Sequence, residues 1–218
     1  MADYINVVYD ISEKPKTDYP ARLVNYLAQR YSITAGKKLL EIGCGRGDFL
    51  SEFSKICYAR GVDRSGSAKN LSPDLEIITC DLEKEEMPFE DDSFDFVYSK
   101  SVIEHFGDPE CYMKQVKRVL KPGGTLITLC PDWESNMQIY FDDHTHKTPF
   151  TLYAINDLYK IYDMKEIAVE KFIQLPAVWK YPALKYLCKI IAAAFPHRMN
   201  NKFIRFSKEL MILASGKK

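Results

Sequence analysis

The 218-residue chain holds 30 basic and 30 acidic side chains, with 46% apolar and 28% charged residues, the profile of a globular domain able to bury a sizeable core. A formal net charge of zero excludes a global electrostatic case for nucleic acid, and no apolar run nears the roughly 20 residues that span a bilayer. The stretch "MADYINVVYD" lacks the pattern of a signal peptide, and none of the six cysteines has C-x-x-C spacing, so a cytoplasmic protein is expected, with most cysteines acting as small core residues.

The elements follow in order. In "PARLVNYLAQRY", Leu23, Val24, Leu27 and Tyr31 fall at helical spacing within an N-terminal cap, residues 1–36. "KKLLEIG" is a buried strand, and "GDFLSEFSKI" is a helix with Phe49, Leu50, Phe53 and Ile56 on one face. "YARGVD" and "LEIITCD" are two more strands, followed by the acidic loop "LEKEEMPFEDDS". "FDFVYS" is the fourth strand, "PECYMKQVKRVL" a helix with proline near its start, and "TLITLC" the fifth strand. After a loop containing "HTH", "TLYAINDLYKIYDM" is helical, "KEIAVEKFIQ" is a sixth strand, and "RFSKELMILASGKK" supplies a seventh. Strands alternating with helices imply parallel pairing through right-handed crossovers, hence a layered α/β sheet. With no internal repeat or low-complexity linker, the expected organisation is one domain, 1–218, with a basic helical insertion over 175–205.

The strongest motif is "LLEIGCGRGDFL", a strand running into Glu41 and then Gly43, Gly45 and Gly47 before a helix. Glycines at such a turn let the backbone approach a ligand, and the helix start offers N–H groups. The spacing differs from the G-x-G-x-x-G of dinucleotide folds, which disfavours a nicotinamide-dependent oxidoreductase. Asp63 ends the second strand, 20 positions after Gly43, where an acid can take both ribose hydroxyls, and Asp81 ends the third strand. All three acids fall on the carboxyl edge of the sheet, where open α/β folds bind ligands.

Together, "LLEIGCGRGDFL", "GVDRS", "CDLEKEEMPFEDDSFDFVYSKSVIEH" and "LKPGGTLIT" resemble the class I S-adenosylmethionine-dependent methyltransferases from about Lys38 to Cys130. The resemblance implies a Rossmann-like seven-stranded, mostly parallel sheet with an antiparallel last strand, helices on both faces and the insertion between strands six and seven. It implies S-adenosyl-L-methionine as cofactor. Gly43, Cys44 and Gly45 would then lie beside its methionine part, with Glu41 near the amino group and Ser99 facing the same end. Asp63 would bind the ribose with Arg64 beside the adenine, and Asp81 the adenine amino group with Leu82 flanking it. "SKSVIEHF" replaces the Asn/Asp-Pro-Pro-Tyr/Phe motif of adenine and glutamine methyltransferases and is similar to the small-molecule branch.

The acceptor side is expected in "YFDDHTHKTPF". His146 is the first candidate for a general base, His144 and His105 the others, although hydrogen bonds that only hold the loop closed explain the same residues equally well. No metal is expected. Thr148 is the expected N-cap of the next helix, with Pro149 at its first position. "DDHTHKTPFT" also resembles a loop of methyltransferases encoded among bacterial surface-polysaccharide genes, which implies O-methylation of a nucleotide- or lipid-linked sugar. Between Lys171 and Lys208 stand eight Lys or Arg and no acid. In "PALKYLCKIIAAAF", Leu184, Leu187, Cys188, Ile191 and Phe195 share a helical face beside Lys185 and Lys189. That surface is either a helix packed on the domain with a solvated edge or a peripheral contact with anionic membrane or a phosphate-bearing acceptor. No specific nucleic acid is expected. The remaining alternatives are an RNA or protein methyltransferase and a non-catalytic cofactor-binding partner subunit.

Overall fold

A computed structural model describes residues 15–218; the first 14 residues of the expected N-terminal cap lie outside the described residues. Seven strands form one sheet: β1 (Lys38–Ile42), β2 (Tyr58–Asp63), β3 (Ile77–Thr79), β4 (Phe94–Lys100), β5 (Leu120–Pro131), β6 (Lys165–Phe172) and β7 (Met211–Lys217). Their order across the sheet is β3-β2-β1-β4-β5-β7-β6. Every neighbour pairing from β3 through β5 is parallel, and β7 runs antiparallel to both β5 and β6. The chain therefore reverses its build direction at β1 and β4, and a crevice opens outside their carboxyl ends.

Helix α1 (Tyr19–Tyr31) buries Leu23, Val24 and Leu27 of the expected stripe together with Ala28, while Tyr31 is partly buried. It packs with α2 (Asp48–Phe53) on one face of the sheet, over Leu39, Phe96, Tyr98, Ile127 and Leu213. Helix α2 ends at Phe53, before Ile56, with the Ser54 hydroxyl donating to the Leu50 carbonyl. A short α3 (Ser67–Leu71) follows β2. On the opposite face α4 (Pro109–Val119) and α6 (Leu152–Ile161) cover Leu40, Val97, Leu126 and Ile212. A single-turn α5 (Trp133–Asn136) lies between β5 and α6. Leu39 and Leu40 thus serve opposite cores, as the two-residue period of a strand requires, and both are 0% exposed. Burial of each such side chain contributes about 1.5–3 kcal/mol. The strand β7 is buried on both faces.

Strand parity also corrects one expectation. Ser99 does not reach the crevice: its side chain is 0% exposed and its hydroxyl meets the Tyr112 hydroxyl at 2.7 Å. Tyr112 continues to Thr128 at 3.3 Å, and the Tyr159 hydroxyl donates to Thr128 at 2.9 Å. Four hydroxyls therefore join β4, α4, β5 and α6 inside the core. Similarly, Thr148 is not a helix cap. Its hydroxyl donates to the Phe106 carbonyl, and α6 starts later, capped by Thr151 through Ala154 N–H.

Three helices stand between β6 and β7: α7 (Pro176–Lys180), α8 (Leu184–Ala194) and α9 (Lys202–Lys208). Of the expected apolar face of α8, Cys188 is buried and Leu184 and Ile191 are partly so. Leu187 is exposed instead and joins Tyr186 and Ile190, 61% and 67% exposed, in an outward ridge. No helix of the described residues is long and apolar enough to cross a membrane.

The hydroxyl chain makes a measurable contribution. Tyr112→Phe leaves the buried Ser99 hydroxyl without its partner and is expected to lower stability by about 1–3 kcal/mol in urea unfolding. An unchanged midpoint would show that the chain of hydroxyls contributes nothing.

Candidate active site

The first βα turn is shaped by positive backbone angles. Gly43 and Gly45 have φ of +69° and +53°, and a Cβ on Gly43 would stand 2.4 Å from a Val102 methyl. Only glycine combines that conformation with that approach. The turn is also pinned electrostatically. Gly45 N–H donates to one Asp63 carboxylate oxygen at 2.8 Å, and Ser65 N–H donates to the other at 2.9 Å. A carboxylate at the end of β2 thus ties the loops after β1 and β2 together.

These loops border a cavity of about 440 Å³ at the carboxyl edge of the sheet, within the range of small-ligand sites. Its wall includes Glu41, Gly43, Cys44, Gly45, Asp63, Arg64, Asp81 and Leu82. Eight of the nine residues expected to bind cofactor therefore line one cavity, and Ser99 does not. Lys100, Ser101 and Val102 form the wall after β4.

The electrostatics are uneven along this wall. Glu41 is 2% exposed, its Oε2 has no hydrogen-bond partner, and burial together with Asp63 and Asp48 pushes its carboxyl well above the ordinary range. Asp81 goes the other way, because Lys84 at 2.6 Å and Glu83 N–H favour its ionised form. Burial keeps the thiol of Cys44 protonated.

The loop from 132 to 151 closes over the same edge. Lys147 N–H and Thr148 N–H both donate to the Glu104 carbonyl, at 2.8 and 3.0 Å. The Tyr140 hydroxyl donates to the Thr148 carbonyl at 2.7 Å. Rings of Trp133, Tyr140, His146 and His105 pack in sequence, the first pair edge-on and the others tilted, with centroids 5.1, 4.6 and 4.9 Å apart. His105 lines the cavity; His146 lies behind it, and His144 is exposed and not part of the wall.

Hydrogen bonds fix both imidazole tautomers. His146 Nδ1–H donates to the Tyr140 carbonyl at 2.6 Å, leaving the lone pair on Nε2. The Thr145 hydroxyl donates to Asp143 and so accepts from His105 Nδ1–H at 2.9 Å, with the same consequence. Burial and the neighbouring His146 lower the pKa of His105, which keeps it neutral at pH 7.

Glu104, the neighbour of His105, completes a cluster whose third member, His146, comes from the loop after β5. Its carboxyl is 0% exposed with neither oxygen hydrogen-bonded, and burial pushes it up to about 8. Among the described residues Glu104, His105 and His146 bring one ligand atom each within 4.8 Å of one another. Positive charge from Lys100 bears on Glu104 and from Arg64 on His105, which works against a divalent cation there.

Glu104 has a signature in stability. An unfolded glutamate releases its proton near pH 4.5, whereas the folded one retains it to about 8, so the native state binds more protons in that window and stability falls as pH rises. Glu104→Gln is expected to flatten this decline between pH 5 and 8 in urea titrations. A variant with the wild-type slope would remove Glu104 as its source.

Comparison with known proteins agrees with this geometry. Residues 40–128 match the family model described as "Methyltransferase domain". The chain is 36% identical over 116 residues to sterol 24-C-methyltransferase ERG6B of Gibberella zeae, a match covering 48% of this chain and 30% of that protein. It is 33% identical over 126 residues to the ubiquinone biosynthesis O-methyltransferase of Pseudomonas putida, covering 52% of each. The chain thus spans about a third to a half of the length of these curated relatives. An S-adenosylmethionine-dependent methyltransferase of Archaeoglobus fulgidus shares the fold over 99% of this chain and 100% of its own, with a TM-score of 0.66 at 18% identity. A chain from the complex of the Haloferax volcanii Trm112 methyltransferase activator reaches 0.72 at 20% identity, covering 100% of this chain and 98% of its own. The glycine turn, the three acids on successive strands and the antiparallel β7 therefore accompany a match to the methyltransferase domain over residues 40–128, within a fold shared with S-adenosylmethionine-dependent methyltransferases.

Proposed function

We propose that the chain binds S-adenosyl-L-methionine and transfers its methyl group to a small-molecule hydroxyl. The carrying observation is Glu41, Asp63 and Asp81 at the ends of β1, β2 and β3 around one cavity. The residues suit the cofactor: the orphaned buried oxygen of Glu41 awaits a donor such as an ammonium, and a Cβ on Gly45 would meet nothing within 4 Å, so the turn leaves open space there. Glu41 and the Gly43–Gly45 turn would hold the methionine part, Asp63 the ribose, and Asp81 with Leu82 the adenine. The cofactor supplies a methyl group already activated on a sulfonium, so the protein chiefly aligns the acceptor, an effect on the order of 7–11 kcal/mol.

For a hydroxyl acceptor a base is also required. His105 faces the cavity as a neutral imidazole, with the tilted ring of His146 packed against it and Thr145 fixing its tautomer. We assign His105 as the base and His146 as the residue that positions it. A sugar hydroxyl, on a nucleotide- or lipid-linked carrier, is the favoured acceptor class, supported by the similarity of "DDHTHKTPFT" to loops of polysaccharide-cluster methyltransferases. RNA, protein and partner-subunit readings lack a comparable feature.

The second element is α8. Its outward Tyr186, Leu187 and Ile190 stand beside Lys185 and Lys189, within a segment free of acids from Lys171 to Lys208. A groove of about 800 Å³ lined by Lys171, Lys185, Lys189 and Lys208, with Glu134 and Glu170 also in its wall and Lys171 paired to Glu134, shares no residue with the cofactor cavity. This separation supports peripheral contact with an anionic membrane rather than a direct part in the chemistry.

Four measurements test these readings. Calorimetry should detect S-adenosylmethionine and its demethylated product; binding of neither would overturn the methyltransferase reading. Against a panel of nucleotide sugars, lipid-linked sugars, phenols and amines, His105→Ala is expected to lower turnover about 10²–10⁴-fold while cofactor affinity stays unchanged. Because the His105 pKa is lowered from 6.5, the acid limb of the wild-type rate profile should lie below pH 6.5 and vanish in the variant. Vesicle sedimentation should show recovery with anionic vesicles that Leu187→Glu with Ile190→Glu abolishes; equal recovery with neutral vesicles would sink the membrane contact.

A further inference from the structure

Lys100 is the last residue of β4, and strand parity sends its side chain to the face of Tyr98 rather than that of Ser99. Its ammonium lies over the Phe49 ring, 5.8 Å from the centroid, and the residue lines the cavity beside Glu41. Among the described residues the ammonium makes neither an ion pair nor a hydrogen bond with any side chain. Burial lowers its pKa, while the charges of Glu104 and Glu41 act in the opposite direction.

Glu41 is the complementary case. It sits on the adjacent strand, where Ile42 pairs with Ser99 one residue before Lys100. One of its oxygens is buried without a partner. Two groups of opposite sign thus share a wall, bear on each other electrostatically and do not form an ion pair. Holding either alone away from water is costly. A ligand that brings an ammonium and a carboxylate on one carbon would satisfy both.

The position of the wall says which end of a ligand this is. The Val102 methyl against Gly43 shows that the segment after β4 lies directly on the glycine turn, the part assigned to the methionine moiety. We propose that Lys100 receives the α-carboxylate of the cofactor while Glu41 receives its α-ammonium, so that the cavity recognises the amino-acid zwitterion as a unit. This assignment rests on the methyltransferase reading.

Decarboxylated S-adenosylmethionine keeps the adenosine, the sulfonium and the ammonium and lacks only the carboxylate. By calorimetry the wild-type protein is expected to bind S-adenosylmethionine about 10- to 100-fold more tightly than the decarboxylated form, as one charge-assisted hydrogen bond provides. In Lys100→Met the preference should fall to within about threefold, through weaker binding of S-adenosylmethionine alone, and Lys100→Arg should retain most of it. A wild-type protein with no preference overturns the assignment without recourse to any variant. So does an unchanged preference in Lys100→Met, above all if the apparent KM of an anionic acceptor rises instead, which would move Lys100 to the acceptor. Wild-type protein that binds neither molecule overturns the methyltransferase reading itself and is distinguishable from both results.

Discussion

The site depends on one carboxylate that spans two loops. Asp63 accepts Gly45 N–H with one oxygen and Ser65 N–H with the other, which fixes the β1 turn against the end of β2. Loops are the natural place for binding groups, but they hold geometry only when something rigid anchors them. Here the anchor is a group that the cofactor would also contact, so the shape of the turn and the ribose position are set together. Gly43 against Val102 adds the third side, and the cavity wall then runs without a break from β1 through β2 to the segment after β4.

Charge is arranged along that wall by the same economy of groups. At the Glu41 end, acids crowd together and one carboxyl is driven toward its neutral form. At the Asp81 end a lysine and a backbone N–H hold the acid ionised. A ligand with a cationic amino group at one end and a neutral, hydrogen-bonding base at the other fits both conditions. The wall at His105 is built differently, from aromatic rings packed edge-on or tilted beside a buried carboxyl that makes no hydrogen bond.

Much of this was legible in the residues themselves. Alternation of apolar runs with helical stripes predicted the sheet, and the acids at the ends of its first three strands, Glu41, Asp63 and Asp81, marked its carboxyl edge. Ser99 was misassigned because a single step of strand parity decides between crevice and core, and the sequence "FDFVYSKS" is apolar on both sides of that choice. Lys100 was passed over for the same reason. Its burial depends on Phe49 and Glu41, which arrive from another helix and strand. Thr148 and Thr151 both suit a helix start, and only the Phe106 carbonyl, 42 positions away, distinguishes them. The meeting of His105 with His146 is likewise tertiary: nothing local links a turn after β4 to a loop after β5.

The insertion of α7, α8 and α9 leaves the sheet at the end of β6 and rejoins it at the start of β7, where Phe172 pairs with Met211. Its two stems are therefore held side by side by ladder hydrogen bonds whatever lies between them. Chain added or removed at this point changes a loop whose closure cost grows only slowly with length, and it leaves the β1–β4 crevice in register. The surface that meets the outside of the molecule can thus diversify while the crevice stays fixed, which makes this hairpin a natural exchange point for changing the outer surface without rebuilding the cavity.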